Sequence, residues 1–344
     1  MNDLAKIAQA LVAPGKGILA ADESTSTIKR RFDAIGVPNT EENRRAYREL
    51  LFRTAGAPRY ISGVILYDET IRQKAADGTP LVKLLTDQGI LPGIKVDVGA
   101  KPLAGAPGEV VTEGLDGLRE RLAEYRELGA AFSKWRAVIT IGDGIPSSYC
   151  IDVNAHTLAR FAALSQEAGI VPIVEPEVLL DGDHSIARCY EVTLATQREV
   201  FRQLAAQGVR LEGMLLKPNM VLSGAKASPR APADEVARQT VECFRRTVPA
   251  AMPGVVFLSG GQSDDEATVN LDAINRYAAR VGGVPWQLSF SYGRGLQAAP
   301  QRAWSGKPEQ VAAAQRAYHH RAKVTAAARM GTYSPAMEKE AVPA

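Results

Sequence analysis

Leu211-Glu212-Gly213-Met214-Leu215-Leu216-Lys217-Pro218-Asn219-Met220 is the stretch from which the chain is best read. Its apolar residues suit a short buried strand, and where that strand should end it carries a lysine. Lysine is almost never fully buried unless it is paired or functional. Burial disfavours the ammonium form, and a neutral amine attacks carbonyl carbon to make a Schiff base. Pro218 has no N–H to give a neighbouring strand, so the ladder ends there. Lys217 is therefore expected at the C-terminal lip of a strand. A lysine alone at such a place would snorkel into solvent, so its meaning depends on what the other strand ends hold.

Seven more apolar runs of similar character lie along the chain: Gly17–Ala21, Ile61–Tyr67, Leu91–Val98, Ala131–Thr140, Ile170–Val178, Val255–Leu258 and Trp286–Phe290. Successive runs start about 30 to 44 residues apart, enough for a βαβ unit of ~30 residues. Helical patterns fill the gaps, among them Thr40–Arg53, Gly114–Leu128, Asn154–Ala168, Ser185–Gln207, Ala233–Val248 and Ser263–Arg280. Eight strands alternating with helices read as a (β/α)8 TIM barrel, an α/β fold. A doubly wound sheet would share the alternation but would normally bring Gly-x-Gly-x-x-Gly after its first strand, and none stands there. Such barrels routinely exceed ~150 residues as one domain, so residues 1–344 are read as a single domain. An extra helix is expected over residues 3–12, with Leu4, Ile7, Ala8 and Leu11 on one face, and an alanine-rich one over Pro308–Arg329. Residues 331–344 show no periodicity and are expected to form a mobile tail.

Composition narrows the function. The chain is 46% apolar and 23% charged with a net charge of +3, which calls for neither a nucleic-acid nor a membrane partner. No apolar run approaches the ~20 residues of a membrane span, and the N-terminus lacks the pattern of a signal peptide. Cys150, Cys189 and Cys243 show no Cys-x-x-Cys spacing, so reduced thiols in a cytoplasmic protein are expected. Pro14-Gly15-Lys16-Gly17 is not a nucleotide-binding P-loop. His156, His184, His319 and His320 do not stand at strand ends beside other ligands, and Asp181-Gly182-Asp183-His184 lacks the EF-hand pattern. No metal is expected.

In a barrel the chemistry sits at the C-terminal ends of the strands, and here those ends are polar. The first gives Asp22-Glu23-Ser24-Thr25, the third Lys95 and Asp97, the fourth Lys134 and Arg136, the fifth Glu175 and Glu177, the sixth Lys217 and Asn219. Members of the last four pairs are two residues apart, which puts both on one face of a strand. Ion pairs inside a barrel could be purely structural, but unpaired buried charge is costly, and four strands carrying such pairs exceed what packing needs. Strand seven runs into Ser259-Gly260-Gly261-Gln262-Ser263 and strand eight into Ser291-Tyr292-Gly293-Arg294-Gly295. Glycines let backbone N–H groups approach an anion, Arg294 can add a bidentate contact, and barrel phosphate sites commonly follow strands 7 and 8.

A Schiff-base lysine, further cations, carboxylates and a phosphate cradle suit one reaction class. An iminium is an electron sink, so a carbon–carbon bond next to the former carbonyl can be cut or formed. Carboxylates then move protons, once during imine formation and once from a substrate hydroxyl. Lys95, Lys134 and Arg136 would add like-charge repulsion around Lys217. An aldol-type lyase acting on a phosphorylated sugar is the expected function.

Gly17-Ile-Leu-Ala-Ala-Asp22-Glu-Ser, Thr40-Glu-Glu-Asn-Arg-Arg45, Lys95-Val-Asp, Lys134-Trp-Arg136, Val174-Glu-Pro-Glu177, Leu215-Leu-Lys217-Pro-Asn-Met and Leu258-Ser-Gly-Gly-Gln262 resemble the motifs of class I fructose-bisphosphate aldolases, over nearly the whole chain. The resemblance implies reversible, metal-independent cleavage of fructose 1,6-bisphosphate to dihydroxyacetone phosphate and glyceraldehyde 3-phosphate, in glycolysis and gluconeogenesis. It implies that Lys217 forms the Schiff base, that Glu175 transfers protons during imine formation, and that Asp22 is the base for the C4 hydroxyl. Lys134 would assist the imine step and Glu177 set local protonation. Ser259, Gly260, Gly293 and Arg294 would take the C1 phosphate. Ser24, Thr27, Arg31, Lys95 and Arg136 would hold or line the path to the other phosphate. A homotetramer with no cofactor is implied. Two departures stand out: Ser26-Thr27 replaces the Gly-Ser common in the family, and the chain ends Glu340-Ala-Val-Pro-Ala344 without the family's usual terminal tyrosine, its last tyrosine being Tyr333. A Schiff-base barrel lyase of other specificity, on a seven-carbon bisphosphate or transaldolase-like, and a barrel kept only as a binding scaffold are the competing readings.

Overall fold

The computed structural model describes residues 3–339. Eight parallel strands close into a barrel: β1 (Gly17–Ala21), β2 (Ile61–Leu66), β3 (Leu91–Lys95), β4 (Phe132–Ile139), β5 (Val171–Val178), β6 (Leu215–Leu216), β7 (Gly254–Phe257) and β8 (Gln287–Tyr292). Each strand pairs with its sequence neighbours, and β8 closes on β1 through Ile18 opposite Ser291 and Leu19 opposite Tyr292. This is the (β/α)8 TIM barrel expected.

Among the described residues twelve α-helices accompany the strands: α1 (Asp3–Leu11), α2 (Thr25–Asp33), α3 (Glu41–Phe52), α4 (Asp68–Arg72), α5 (Leu81–Thr86), α6 (Leu118–Glu127), α7 (Ser148–Glu167), α8 (Ile186–Ala206), α9 (Ala233–Arg245), α10 (Asp264–Arg280), α11 (Arg294–Trp304) and α12 (Val311–Arg329). Several start on an N-cap that satisfies an orphan backbone N–H. Thr40 accepts from Asn43 before α3, Ser147 from Cys150 before α7, Ser185 from Arg188 before α8, and Ser263 from Glu266 before α10. No helix among the described residues is long and apolar enough to cross a membrane.

The barrel interior divides into two halves. At the N-terminal end α1 plugs the opening. Leu4, Ala8 and Leu11 pack with Ile18, Ala20, Ile65, Phe132, Val171, Ile173, Leu215 and Val256 in one apolar cluster. The Phe132 ring occupies the place a side chain at Gly93 would need. Above this layer the strands turn to charge, with Lys134, Glu175, Glu177 and Lys217 all buried.

Four local expectations need correction. Residues 211–220 do not form one strand: Leu211–Gly213 is a 3-10 turn and only Leu215–Leu216 pair as strand. Pro218 stops the ladder, and Gly213 lies where even a Cβ would meet Leu4 at 3.0 Å. An antiparallel hairpin, Gly99–Pro102 with Val110–Glu113, stands between β3 and β4. α7 begins at Ser148 rather than at Asn154. Residues 331–339 are not a loose tail. Tyr333 is buried, Pro335–Lys339 form a 3-10 helix, and both Glu338 oxygens lie 2.8 Å from buried Arg321. Residues 340–344, the rest of the expected tail, lie outside the described residues.

Candidate active site

The site residues lie in the C-terminal half of the barrel, some within strands and some just beyond them. Lys217 is the first residue beyond β6, and its N–H still donates to Val174 O at 2.8 Å, so its place is tied to β5. Lys134 and Arg136 lie inside the long strand β4, with Trp135 between them pointing outward onto Phe161. Glu175 and Glu177 lie near the end of β5, Glu175 in register with Arg136. Asp22 follows β1 directly.

These side chains meet in a chain of alternating charge. Lys217 Nζ is 3.3 Å from Glu175 Oε1. Glu175 Oε2 is 3.4 Å from Lys134 Nζ, and Lys134 Nζ is 2.6 Å from Asp22 Oδ2. Asp97 lies 3.9 Å from Lys134 and 2.7 Å from Lys95, and accepts the N–H of Arg136 at 3.2 Å. Arg136 pairs with Glu177. The cations expected to surround Lys217 thus arrive with their own carboxylates. Glu175 Oε2 is buried without an aligned hydrogen bond, leaving an acceptor on the Lys134 side of a carboxylate whose other oxygen faces Lys217.

Electrostatics fix two of these groups. Burial pushes the Asp22 carboxyl up, but the charges of Lys134 and Lys217 and the Lys134 hydrogen bond outweigh it and hold Asp22 far below the usual carboxylate range. Burial alone would push Lys134 down, but Asp22, Glu175 and Asp97 drive it well above an ordinary lysine. Arg136 is likewise raised, its burial outweighed by Glu177. Lys134 is thus a fixed cation and Asp22 a fixed anion.

The anion cradle forms on the opposite wall. α11 starts at Arg294 directly after Gly293, and a helix N-terminus of this kind favours anions. Gly295 N–H donates to Ser259 Oγ at 3.3 Å, tying the loop after β8 to the loop after β7. A Cβ at Gly260 would come within 2.8 Å of Glu177 Oε1, so only glycine fits there with Glu177 in place. Arg31, from α2, brings its guanidinium over Gly293, 3.6 Å from where a Cβ would stand. It pairs with Glu23, which is also bound by Arg48 at 3.3 Å and by Gln297 at 2.7 Å.

One cavity of about 1840 Å³ opens at this end of the barrel. Asp22, Ser24, Thr27, Arg31, Lys95, Lys134, Arg136, Glu175, Glu177, Lys217, Ser259, Gly260, Gly293 and Arg294 all line it. Asn219 does not. Its carboxamide turns outward to Thr193 of α8, so the two-residue spacing fails for the Lys217/Asn219 pair, because the strand has already ended. Other groups at the site escaped the sequence reading. Ser291, at the end of β8, lines the cavity with a buried, unpartnered hydroxyl. In the motif Ser291-Tyr292-Gly293-Arg294 the glycine and the arginine carry the sequence argument, and the serine adds no signal of its own. Arg48 and Gln297 come from α3 and α11 to brace Glu23, and no local pattern marks them. Tyr333 lies away from the cavity, with its hydroxyl 3.2 Å from Glu338 and its N–H on Asp272. Among the described residues no group of three or more His, Cys, Asp or Glu side chains is placed to hold a metal ion.

The profile of a family described as "Fructose-bisphosphate aldolase class-I" matches residues 3–343. The chain belongs to the class I fructose-bisphosphate aldolase family. This aldolase is 58% identical over 334 residues to the "Probable fructose-bisphosphate aldolase class 1" of Xanthomonas campestris pv. campestris, covering 97% of this chain and 99% of that one. It is 51% identical to the "Fructose-bisphosphate aldolase, non-muscle type" of Lethenteron camtschaticum, over 97% and 92% of the two chains. Its fold matches that of fructose-bisphosphate aldolase from Plasmodium falciparum, solved in a ternary complex with TRAP and a small-molecule inhibitor. That match has a TM-score of 0.94 and 51% identity, over 96% of this chain and 95% of the other. The aldolase therefore cleaves fructose bisphosphate through the Schiff base common to class I, as the lip residues suggested.

Proposed function

We propose that Lys217 forms the Schiff base with C2 of fructose 1,6-bisphosphate, a reading carried by its 3.3 Å approach to Glu175 in a buried, charge-balanced site. The Lys217 amine attacks C2 to give a carbinolamine. Glu175 takes the proton leaving nitrogen and returns one to the C2 hydroxyl, which departs as water and leaves the iminium. Lys134 stays cationic beside Glu175 and stabilises the oxygen charge that develops.

Asp22 then takes the proton of the C4 hydroxyl. The C3–C4 bond breaks, its electron pair flows into the iminium, and glyceraldehyde 3-phosphate leaves. The enamine left on Lys217 takes a proton at C3, and water hydrolyses the imine to free dihydroxyacetone phosphate. A base held as low as Asp22 would be weak. Part of what holds it there is the positive charge at Lys217. That charge is neutralised as the iminium becomes enamine, so Asp22 gains basicity in the step that needs it.

Ser259, Gly260, Gly293 and Arg294 would hold the C1 phosphate, while Ser24, Thr27, Arg31, Lys95 and Arg136 hold or guide the other one. Glu177 keeps Arg136 in place. The reaction uses no metal or other cofactor. The enzyme works as a cytoplasmic homotetramer in glycolysis and gluconeogenesis, a single barrel per subunit, with neither nucleic acid nor membrane as partner. Borohydride reduction in the presence of dihydroxyacetone phosphate, followed by peptide mapping, tests the central assignment. The adduct is expected on Lys217, and an adduct elsewhere would overturn it.

A further inference from the structure

We infer that Asn219 is a positioning residue whose carboxamide sets Lys217 against Glu175 where the ladder to β5 can no longer do so, the β7 side being held by Leu258 N–H on Pro218 O at 3.1 Å; this rests on Lys217 being the Schiff-base residue. The last backbone bond from this segment to β5 is Lys217 N–H to Val174 O at 2.8 Å. Beyond it the two prolines, Pro218 on one side and Pro176 on the other, have no N–H to donate. The next hydrogen bond joining the segments comes from a side chain, with Val178 N–H donating to Asn219 Oδ1 at 3.0 Å. Glu175 and Glu177 lie between these two fixed points.

The other end of the carboxamide is equally committed. Asn219 Nδ2 donates to Thr193 Oγ1 of α8 at 3.1 Å and to Met220 O at 3.0 Å. The chain that follows is also held by side chains, with Val221 N–H on Thr240 Oγ1 at 3.0 Å and Leu222 N–H on Cys189 Sγ at 3.4 Å. Asn219 is buried, so water does not replace its bonds. It is a three-way clasp joining β5, the segment bearing Lys217, and α8. The phosphate cradle hangs on β7, β8 and α2, none of which Asn219 bonds; its backbone tie to this segment, Leu258 N–H to Pro218 O at 3.1 Å, does not involve the carboxamide. Loss of the clasp should therefore misplace the amine against its proton-transfer partner while leaving substrate affinity nearly intact.

The test compares Asn219→Ala and Thr193→Val with the unaltered enzyme. It measures kcat and KM for fructose 1,6-bisphosphate, and the rate at which borohydride traps the dihydroxyacetone phosphate adduct on Lys217. A displacement of about 1 Å can cost on the order of 100-fold in rate. Asn219→Ala is accordingly expected to lower kcat and trapping rate together by about 10- to 100-fold, with KM changed by less than about threefold. Thr193→Val removes one acceptor and keeps the bond to Val178, so a smaller fall in the same two rates, about 3- to 10-fold, is expected. Unchanged trapping in folded Asn219→Ala would overturn the inference, as would a raised KM at constant kcat. If Asn219→Ala does not fold, unchanged trapping in Thr193→Val overturns it. An adduct away from Lys217 in the unaltered enzyme would instead sink the underlying assignment.

Discussion

Lys134 is the hinge of the site at the scale of single residues, because it touches both acids given separate tasks. Its ammonium lies 2.6 Å from Asp22 and 3.4 Å from Glu175. Its charge is the largest attractive influence holding Asp22 low against the cost of burial. Lys134→Met removes that influence, so the Asp22 carboxyl should rise toward its ordinary range near 3.8 or above it, since burial then acts with less opposition. A base is active only when deprotonated. The acid limb of the kcat/KM profile should therefore move to higher pH in Lys134→Met, on top of a fall in kcat of about 100-fold or more from lost charge stabilisation. The profile measured from pH 4 to 9 checks this. An acid limb that stays in place would show that Lys134 does not govern the state of Asp22.

The elements show where a sequence can be read and where it cannot. The barrel was legible because eight apolar runs recur at nearly regular intervals, and the charged pairs on β4 and β5 were legible because those strands run on past them. β6 was not legible as built. Leu211–Met220 has strand-like residues throughout, yet Pro218 and the close approach of Gly213 to α1 leave two residues in the ladder. α11 was hidden by Gly293, Gly295 and Pro300, which read as loop although Pro300 sits inside the helix. The hairpin after β3 was hidden by Pro102, Gly105, Pro107 and Gly108. The C-terminal segment misled because its anchors are distant. Tyr333 N–H reaches Asp272 of α10, Arg276 reaches Tyr333 O at 2.8 Å, and Glu338 meets Arg321 of α12. This geometry argues against Tyr333 as the proton donor to C3 of the enamine. Burial and the neighbouring Glu338 push its hydroxyl up to about 12, and it lines no part of the cavity. Tyr333→Phe should leave C3 reprotonation unchanged, as read by solvent tritium exchange into dihydroxyacetone phosphate. A drop of tenfold or so would mean that the segment swings to the site during turnover.

Across the whole molecule the barrel interior is apolar where α1 plugs it and ionic where the cavity opens, and the ionic half should cost stability. Removing one partner of a buried pair leaves an uncompensated charge, typically about 3–5 kcal/mol, whereas replacing both with apolar groups is often neutral or stabilising. Lys134→Met alone should destabilise the fold by about that amount at neutral pH. Asp22→Leu combined with Lys134→Met should recover most of it, because Glu175 keeps Lys217 at 3.3 Å and Asp97 keeps Lys95 at 2.7 Å. The pH dependence follows from the two shifts. Asp22 is lowered from 3.8, so its stabilising contribution is complete above that value and is lost as pH falls through the depressed one. Lys134 is raised from 10.5, so its contribution is complete below that value and is lost as pH rises through the raised one. The difference in stability between the unaltered enzyme and Lys134→Met should therefore be flat between about pH 5 and 10 and shrink at lower pH, where Asp22 in the variant protonates and no longer needs a partner. Urea unfolding of the unaltered enzyme, the single and the double variant across that range reads both effects. A double variant less stable than the single one would show that this ion pair stabilises the barrel as well as serving its reaction.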